Sequence, residues 1–290
     1  MDDSSTDSDS SSEVGIQDLI DTDDALAQQI ESLLSEGSRS FLLTGPPGTS
    51  KSWYARQLAN RILKHDVSRI RLVQFHPSYG YEDFIEGFVP KVAEKGGLPT
   101  FVREWKVFAE VCDIARDGNY AVLIIDEFSR GDAGRIFGEA LTYMEPEYRE
   151  SKFKLASGRY FSIPHNLVII ATMNQFDRSV SAVDVAMQRR FEILRMPPDA
   201  KILERMLSSN GMTTELIARV REFFLTCQEV MPHGGLGHTY FLRAKDVESL
   251  LRIWKFKLEP LVEQELQFDP GGRTRIENAY RTMVAEGDTD

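Results

Sequence analysis

Residues 41–52 read Phe-Leu-Leu-Thr-Gly-Pro-Pro-Gly-Thr-Ser-Lys-Ser, a short apolar run that passes through a glycine- and proline-rich turn into a lysine, a hydroxyl residue and a helical pattern over 53–64. This sequence constrains the fold more than any other in the chain, because it commits the backbone to a strand, a tight turn and a helix in that order. The turn, Gly45, Pro46, Pro47, Gly48, Thr49 and Ser50, can aim its backbone N–H groups inward, and the helix that follows adds the positive end of its dipole. The result is a cradle for the β- and γ-phosphates of a nucleotide. Lys51 supplies a mobile cation to the same oxygens and Ser52 a ligand for magnesium. Ser50 stands where the pattern G-x-x-x-x-G-K-[ST] has its second glycine. A serine there is small but disfavours positive φ.

A second run, residues 121–127, reads Ala-Val-Leu-Ile-Ile-Asp-Glu. Its apolar part is a buried central strand in character, and it ends in two adjacent carboxylates. Asp126 is placed to hold magnesium, directly or through water, and Glu127 to orient and polarise an attacking water. Phosphoryl transfer needs little beyond an aligned nucleophile and neutralised charge, so Lys51, Ser52, Asp126 and Glu127 make a sufficient local set.

Further apolar runs at 70–75, 167–172 and 191–196 alternate with helical patterns, which predicts a five-stranded parallel sheet covered by helices on both faces. Between 75 and 121 the reading is a long irregular stretch through Pro90 and Gly97, then a helix over about 101–117. Pro197 and Pro198 break the alternation. Beyond them the periodicity is helical over 202–207, 216–229, 244–258 and 261–268, a small second domain. The expected division is an acidic tail over 1–14, an α/β core over 15–196 and a helical lid over 197–290.

Composition narrows the function classes. The chain has 290 residues, 42% hydrophobic and 27% charged, with a formal charge of −11. Nine acids and no Lys or Arg fall within residues 1–24, leaving 36 acids against 34 bases elsewhere, so the folded part is near neutral. Residues 1–12 are almost all Asp, Ser and Thr and are expected to stay disordered. No apolar run approaches a membrane span and the start is not a basic, apolar leader, so a cytoplasmic protein with no membrane contact is expected. Cys112 and Cys227 form no C-x-x-C pair, and the five histidines lack metal-site spacing.

Four stretches, 45–52, 73–87, 125–130 with 136–139, and 171–179 with 188–191, together resemble an AAA+ ATPase of the dynein-related/MoxR branch, and most of all the NTPase module of the McrB family of restriction and defence proteins. Residues 237–241, Gly-His-Thr-Tyr-Phe, echo the same family at the entrance to the lid. The resemblance implies a P-loop NTPase core with a helical lid, ATP or GTP as substrate and Mg2+ as cofactor. It implies that Asn174 is a sensor contacting the γ-phosphate or attacking water. It implies that Asp177 helps to position that water, although Gln175 and Phe176 depart from the family's Met-Asn-Thr-Ala-Asp-Arg-Ser signature. Arg189 and Arg190 resemble the arginines that reach a neighbouring subunit's nucleotide, which implies a ring, a hexamer by family habit.

The implied function is a ring motor that drives or regulates a partner nuclease in DNA restriction. The alternative is a MoxR-like chaperone ATPase that remodels a protein client without DNA. Only about 15 residues and one helix precede the core, so specificity for modified DNA is expected to come from a partner or to be absent. Arg149, Lys152, Lys154 and Arg159, on what resembles the family's hairpin before the sensor strand, are either a weak nucleic-acid signal or a solvated hairpin. The aromatic stretch 75–88 is either an interface or a loop packed by its own rings. Arg243 is a candidate nucleotide contact from the lid.

Overall fold

The computed structural model describes residues 20–91 apart from 22, together with 100–174 and 189–285. Five strands form one parallel sheet: β1 (Ser40–Thr44), β2 (Ile70–Gln74), β5 (Ala121–Asp126), β8 (Leu167–Met173) and β9 (Glu192–Arg195), in the order β2-β5-β8-β1-β9. The three central strands are buried on both faces, which is why 41–43, 121–125 and 167–171 read as unbroken apolar runs rather than as alternations. Phe41, Leu43, Val122, Ile124, Val168 and Ile170 point to one side, onto helices α1 (Ala25–Ser35) and α2 (Lys51–Ile62). Leu42, Leu123, Ile125, Leu167, Ile169 and Ala171 point to the other.

That second side is covered by short helices α3 (Tyr81–Phe84), α4 (Val107–Ala115), α5 (Ala133–Phe137) and α6 (Ala140–Tyr143), and by two hairpins. One hairpin pairs β3 (Glu86–Lys91) with β4 (Thr100–Trp105) antiparallel; the smaller pairs β6 (Phe153–Lys154) with β7 (Tyr160–Phe161). The larger one corrects the sequence reading. The helix expected over 101–117 begins only at Val107, and 100–105 is a strand, because Thr-Phe-Val-Arg-Glu-Trp finds a partner strand in a stretch taken for irregular loop. The aromatic stretch 75–88 is divided, with part of it in the core. Phe75, Phe84, Phe108, Phe128 and Phe137 are fully buried, with Phe75 stacked on Phe128 and edge-on to Phe84. These five rings are core, each contributing roughly 1.5–3 kcal/mol by burial, while His76 and Phe88 of the stretch 75–88 stay exposed.

The remaining helices form a separate apolar cluster: α7 (Ala200–Ser209), α8 (Thr214–Val230), α9 (Val247–Ile253), α10 (Glu259–Glu265) and α11 (Pro270–Val284), with a π-helical turn at Trp254–Leu258 joining α9 to α10. Their starts are written in the sequence. Asp199, Thr213, Asp246 and Asp269 each accept a backbone N–H from the first turn that follows, and Pro270 opens α11 where no N–H is needed. The last helix was not anticipated. Two glycines after Pro270 look like a turn, yet Gly272 is buried at the helix start, where an added Cβ would lie 2.4 Å from an Asp269 carboxylate oxygen.

Candidate functional site

Strand order brings the chemistry together. Because β8 lies between β1 and β5, the carboxyl ends of these strands set the phosphate loop, Thr172 with Asn174, and Asp126 with Glu127 side by side. Parallel strands end at the same edge, so residues distant in sequence converge without any long excursion of chain.

The loop itself is closely fitted. Thr49, 1% exposed, donates its hydroxyl to the Pro46 carbonyl at 3.0 Å. Gly45 admits no side chain, since a Cβ would fall 2.2 Å from the Met196 carbonyl oxygen. The Lys51 ammonium donates to the carbonyls of Gly45 (2.9 Å) and Pro46 (2.7 Å) and so sits within the loop's concave face. Burial pushes its pKa down to about 8, opposed by the nearby carboxylates of Glu127 and Asp126. Ser50 adopts the left-handed conformation, φ 63° and ψ 18°, at the N-terminus of α2. The glycine geometry is therefore kept by a serine, at a backbone cost of about 1 kcal/mol.

The Ser52 hydroxyl donates to Asp126 Oδ1 at 2.7 Å, and the Thr172 hydroxyl donates to the same oxygen. A serine hydroxyl beside a carboxylate is a hard-oxygen donor pair suited to Mg2+, which takes one or two protein oxygens and completes its shell with water and substrate phosphates. The described residues contain no cluster of three or more His, Cys, Asp or Glu that could hold a metal ion. Glu127 follows at φ 53°, its N–H donated to Thr172 Oγ1 at 3.3 Å and its carboxylate accepting from Arg130 Nε at 3.0 Å. Thr172 thus holds both acidic residues. Sequence reading passed it over; the signal was a hydroxyl within an otherwise apolar strand, one residue before its end.

Asn174 lies at the mouth of a cleft shared with Pro46, Pro47, Tyr240, Leu261 and Glu265, so lid and core both face it. The lid touches the loop directly. Thr239 N–H donates to the Gly48 carbonyl at 3.0 Å, and Gly237 packs so closely that a Cβ would lie 2.1 Å from Gly48. Asp177 lies outside the described residues. Arg243 is exposed, and the cleft is lined without it.

Arg189 and Arg190 are elsewhere. They line a groove with residues 38–40 at the entry end of β1, the whole length of that strand, roughly 13 Å, from the phosphate loop. The two differ. The Arg190 side chain, 7% exposed, pairs with Glu145 at 2.8 Å and donates to the Leu141 carbonyl, whereas that of Arg189 is 66% exposed and reaches Glu145 only at 3.4 Å.

Of the four hairpin bases, Arg149 and Arg159 face inward. Arg149, 3% exposed, donates to the carbonyls of Met144, Pro164 and Leu167, and Arg159 pairs with buried Glu86 and covers the Trp105 ring. They brace the core and form no basic patch. No helix among the described residues is long and apolar enough to cross a membrane.

Residues 40–191 match the AAA domain of the dynein-related subfamily. The chain is 34% identical over 260 residues to the type IV methyl-directed restriction enzyme EcoKMcrB subunit of Escherichia coli K12, covering 80% of this chain and 55% of that protein. It is 26% identical over 212 residues to the type II restriction enzyme BsuMI component YdiS of Bacillus subtilis 168, covering 60% of this chain and 62% of that one. The chain therefore spans little more than half the length of these relatives.

Proposed function

The chain belongs to the dynein-related subfamily of AAA domains, and from that premise we propose that it is a Mg2+-dependent nucleoside triphosphatase, acting on ATP or GTP, that works as a ring and drives or regulates a partner nuclease in DNA restriction. The observation that carries the enzymatic part is the convergence of Ser52, Thr172 and Asp126 beside Lys51 at the carboxyl edge of the sheet. Lys51 and the loop N–H groups hold the phosphates. Ser52 and Asp126 would hold Mg2+, which would supply positive charge to neutralise the phosphates. Glu127 orients the attacking water, and Asn174 reads the terminal phosphate from the neighbouring strand end.

The ring part rests on the arginines. Their distance of a strand's length from their own loop supports a role at the site of an adjacent copy, where a guanidinium matches the charge developing on the transferred group; exposed Arg189 is able to reach it, while Arg190 is buried against Glu145. Similarity to two restriction-system subunits supports the nuclease setting, and a hexamer is the assembly we infer.

The test is phosphate release with ATP and with GTP across a protein dilution series. Turnover per subunit that climbs steeply with concentration supports a ring with shared sites and identifies the base. Turnover that is independent of concentration overturns the shared site. Absence of release and of nucleotide binding overturns the enzyme.

A further inference from the structure

The lid's contact with the phosphate loop includes one side-chain bond that the loop's sequence makes unusual. Ser50 occupies a position where glycine would carry no steric cost, and its hydroxyl lies 3.0 Å from His238 Nε2. His238 opens the short turn His238–Phe241 and is 2% exposed. Its Nδ1 is buried with no partner, so Ser50 is the one hydrogen-bonding group its ring meets among the described residues. Burial lowers the imidazole pKa to about 4, with Asp199 the carboxylate that opposes the shift, so the ring is neutral at ordinary pH. A neutral ring can accept from the Ser50 hydroxyl or donate to it, but not both at one nitrogen.

Two bonds therefore join the same lid turn to the loop on either side of Thr49: Thr239 N–H to the Gly48 carbonyl, and His238 to Ser50. Turn and loop meet backbone to backbone at Gly237, where any side chain would strike the carbonyls of Pro47 and Gly48. Ser50 stands in its left-handed conformation at the N-terminus of α2, and its hydroxyl is anchored by the lid. We propose that His238 is a positioning residue through which the lid holds Ser50, and with it the phosphate loop, in the conformation that receives nucleotide. Movement of the lid away from the core would release Ser50 and weaken phosphate binding; nucleotide, by the same linkage, favours the seated lid. This rests on the nucleotide-binding reading above and extends it to the coupling between the two domains.

The test is a double-mutant cycle read as the Kd of a fluorescent ATP or GTP analogue. Ser50→Ala keeps the backbone cost and removes the hydroxyl, and is expected to weaken binding about 5- to 10-fold. Ser50→Gly removes both and is expected to bind more tightly than Ser50→Ala. His238→Leu fills the same space without a polar nitrogen. It should match Ser50→Ala in effect, add little to it in the double variant, and lose most of its effect in the Ser50→Gly background. His238→Gln, which can still reach the hydroxyl, should recover part of the affinity. Additive effects, or wild-type affinity in Ser50→Ala, would overturn the coupling while leaving the enzyme reading intact. Should His238→Leu fail to fold, His238→Gln takes its place in the cycle, and an affinity loss that persists undiminished in the Ser50→Ala background would overturn the coupling. Failure of the wild-type chain to bind either analogue overturns both readings.

Discussion

At the scale of single residues the site is organised around one carboxylate oxygen. Asp126 Oδ1 takes the hydroxyls of Ser52 and Thr172, and Thr172 in turn takes the Glu127 N–H. Replacing Thr172 by Val keeps volume and burial but frees Asp126 on one side. The expected result is a roughly tenfold lower kcat, the rate equivalent of about 1.5 kcal/mol for a hydrogen bond to a charged group, with a smaller change in nucleotide Kd. Lys51→Ala should abolish nucleotide binding. Glu127→Gln should retain it, stabilise the assembly and slow phosphate release on the order of a hundredfold or more. Unchanged turnover in Glu127→Gln would show that another group orients the water. Lys51 also sets a pH dependence. Its pKa, lowered from 10.5 to about 8, keeps the ammonium below that pH and yields a neutral amine above it. A neutral amine no longer attracts phosphate, so affinity should fall as pH rises, by about tenfold between pH 7 and 9. Equilibrium binding at pH 7 and 9 in the same salt checks the sign.

Secondary elements show what a sequence exposes and what it hides. The strand-turn-helix of the phosphate loop and the strands β5 and β8 were legible because each is local: a turn that only small residues and prolines can make, and unbroken apolar runs. The β3–β4 hairpin was not, because its strands are specified by each other across an intervening segment, and 101–105 in isolation continues the apolar pattern of the helix after it. Thr172 was hidden for a related reason, since its importance comes from Asp126, a neighbour only in space. Arg149 is the clearest case. Its charge read as a surface feature, yet burial lowers its pKa to about 10 and its guanidinium satisfies three backbone carbonyls. Arg149→Met should strand those carbonyls in the core and cost about 3 kcal/mol or more, read as a lower urea midpoint. An unshifted midpoint would mean that water or a rearranged loop replaces the guanidinium.

For the whole molecule, the decisive question is whether one copy suffices. The nucleotide cradle and its acids lie at the carboxyl edge of the sheet, while Arg189 and Arg190 lie at the entry end of β1. A single chain cannot bring the two ends of one strand together, but neighbouring copies can. Arg190 is held inside by Glu145 and the Leu141 carbonyl, so its removal would disturb the fold; exposed Arg189 is the cleaner probe. Arg189→Ala alone should be nearly inactive because every site lacks its neighbour's guanidinium, and Glu127→Gln alone because every site lacks its own carboxylate. Mixed in equal amounts and allowed to co-assemble, the two should recover turnover, since an Arg189→Ala site beside a Glu127→Gln subunit has both groups. Random mixing gives that pairing at about a quarter of the interfaces, which sets the expected recovery relative to wild type. If the mixture stays as inactive as its components although both variants co-assemble, the arginine does not act across an interface, and the coupling of hydrolysis to assembly has to arise from the lid instead.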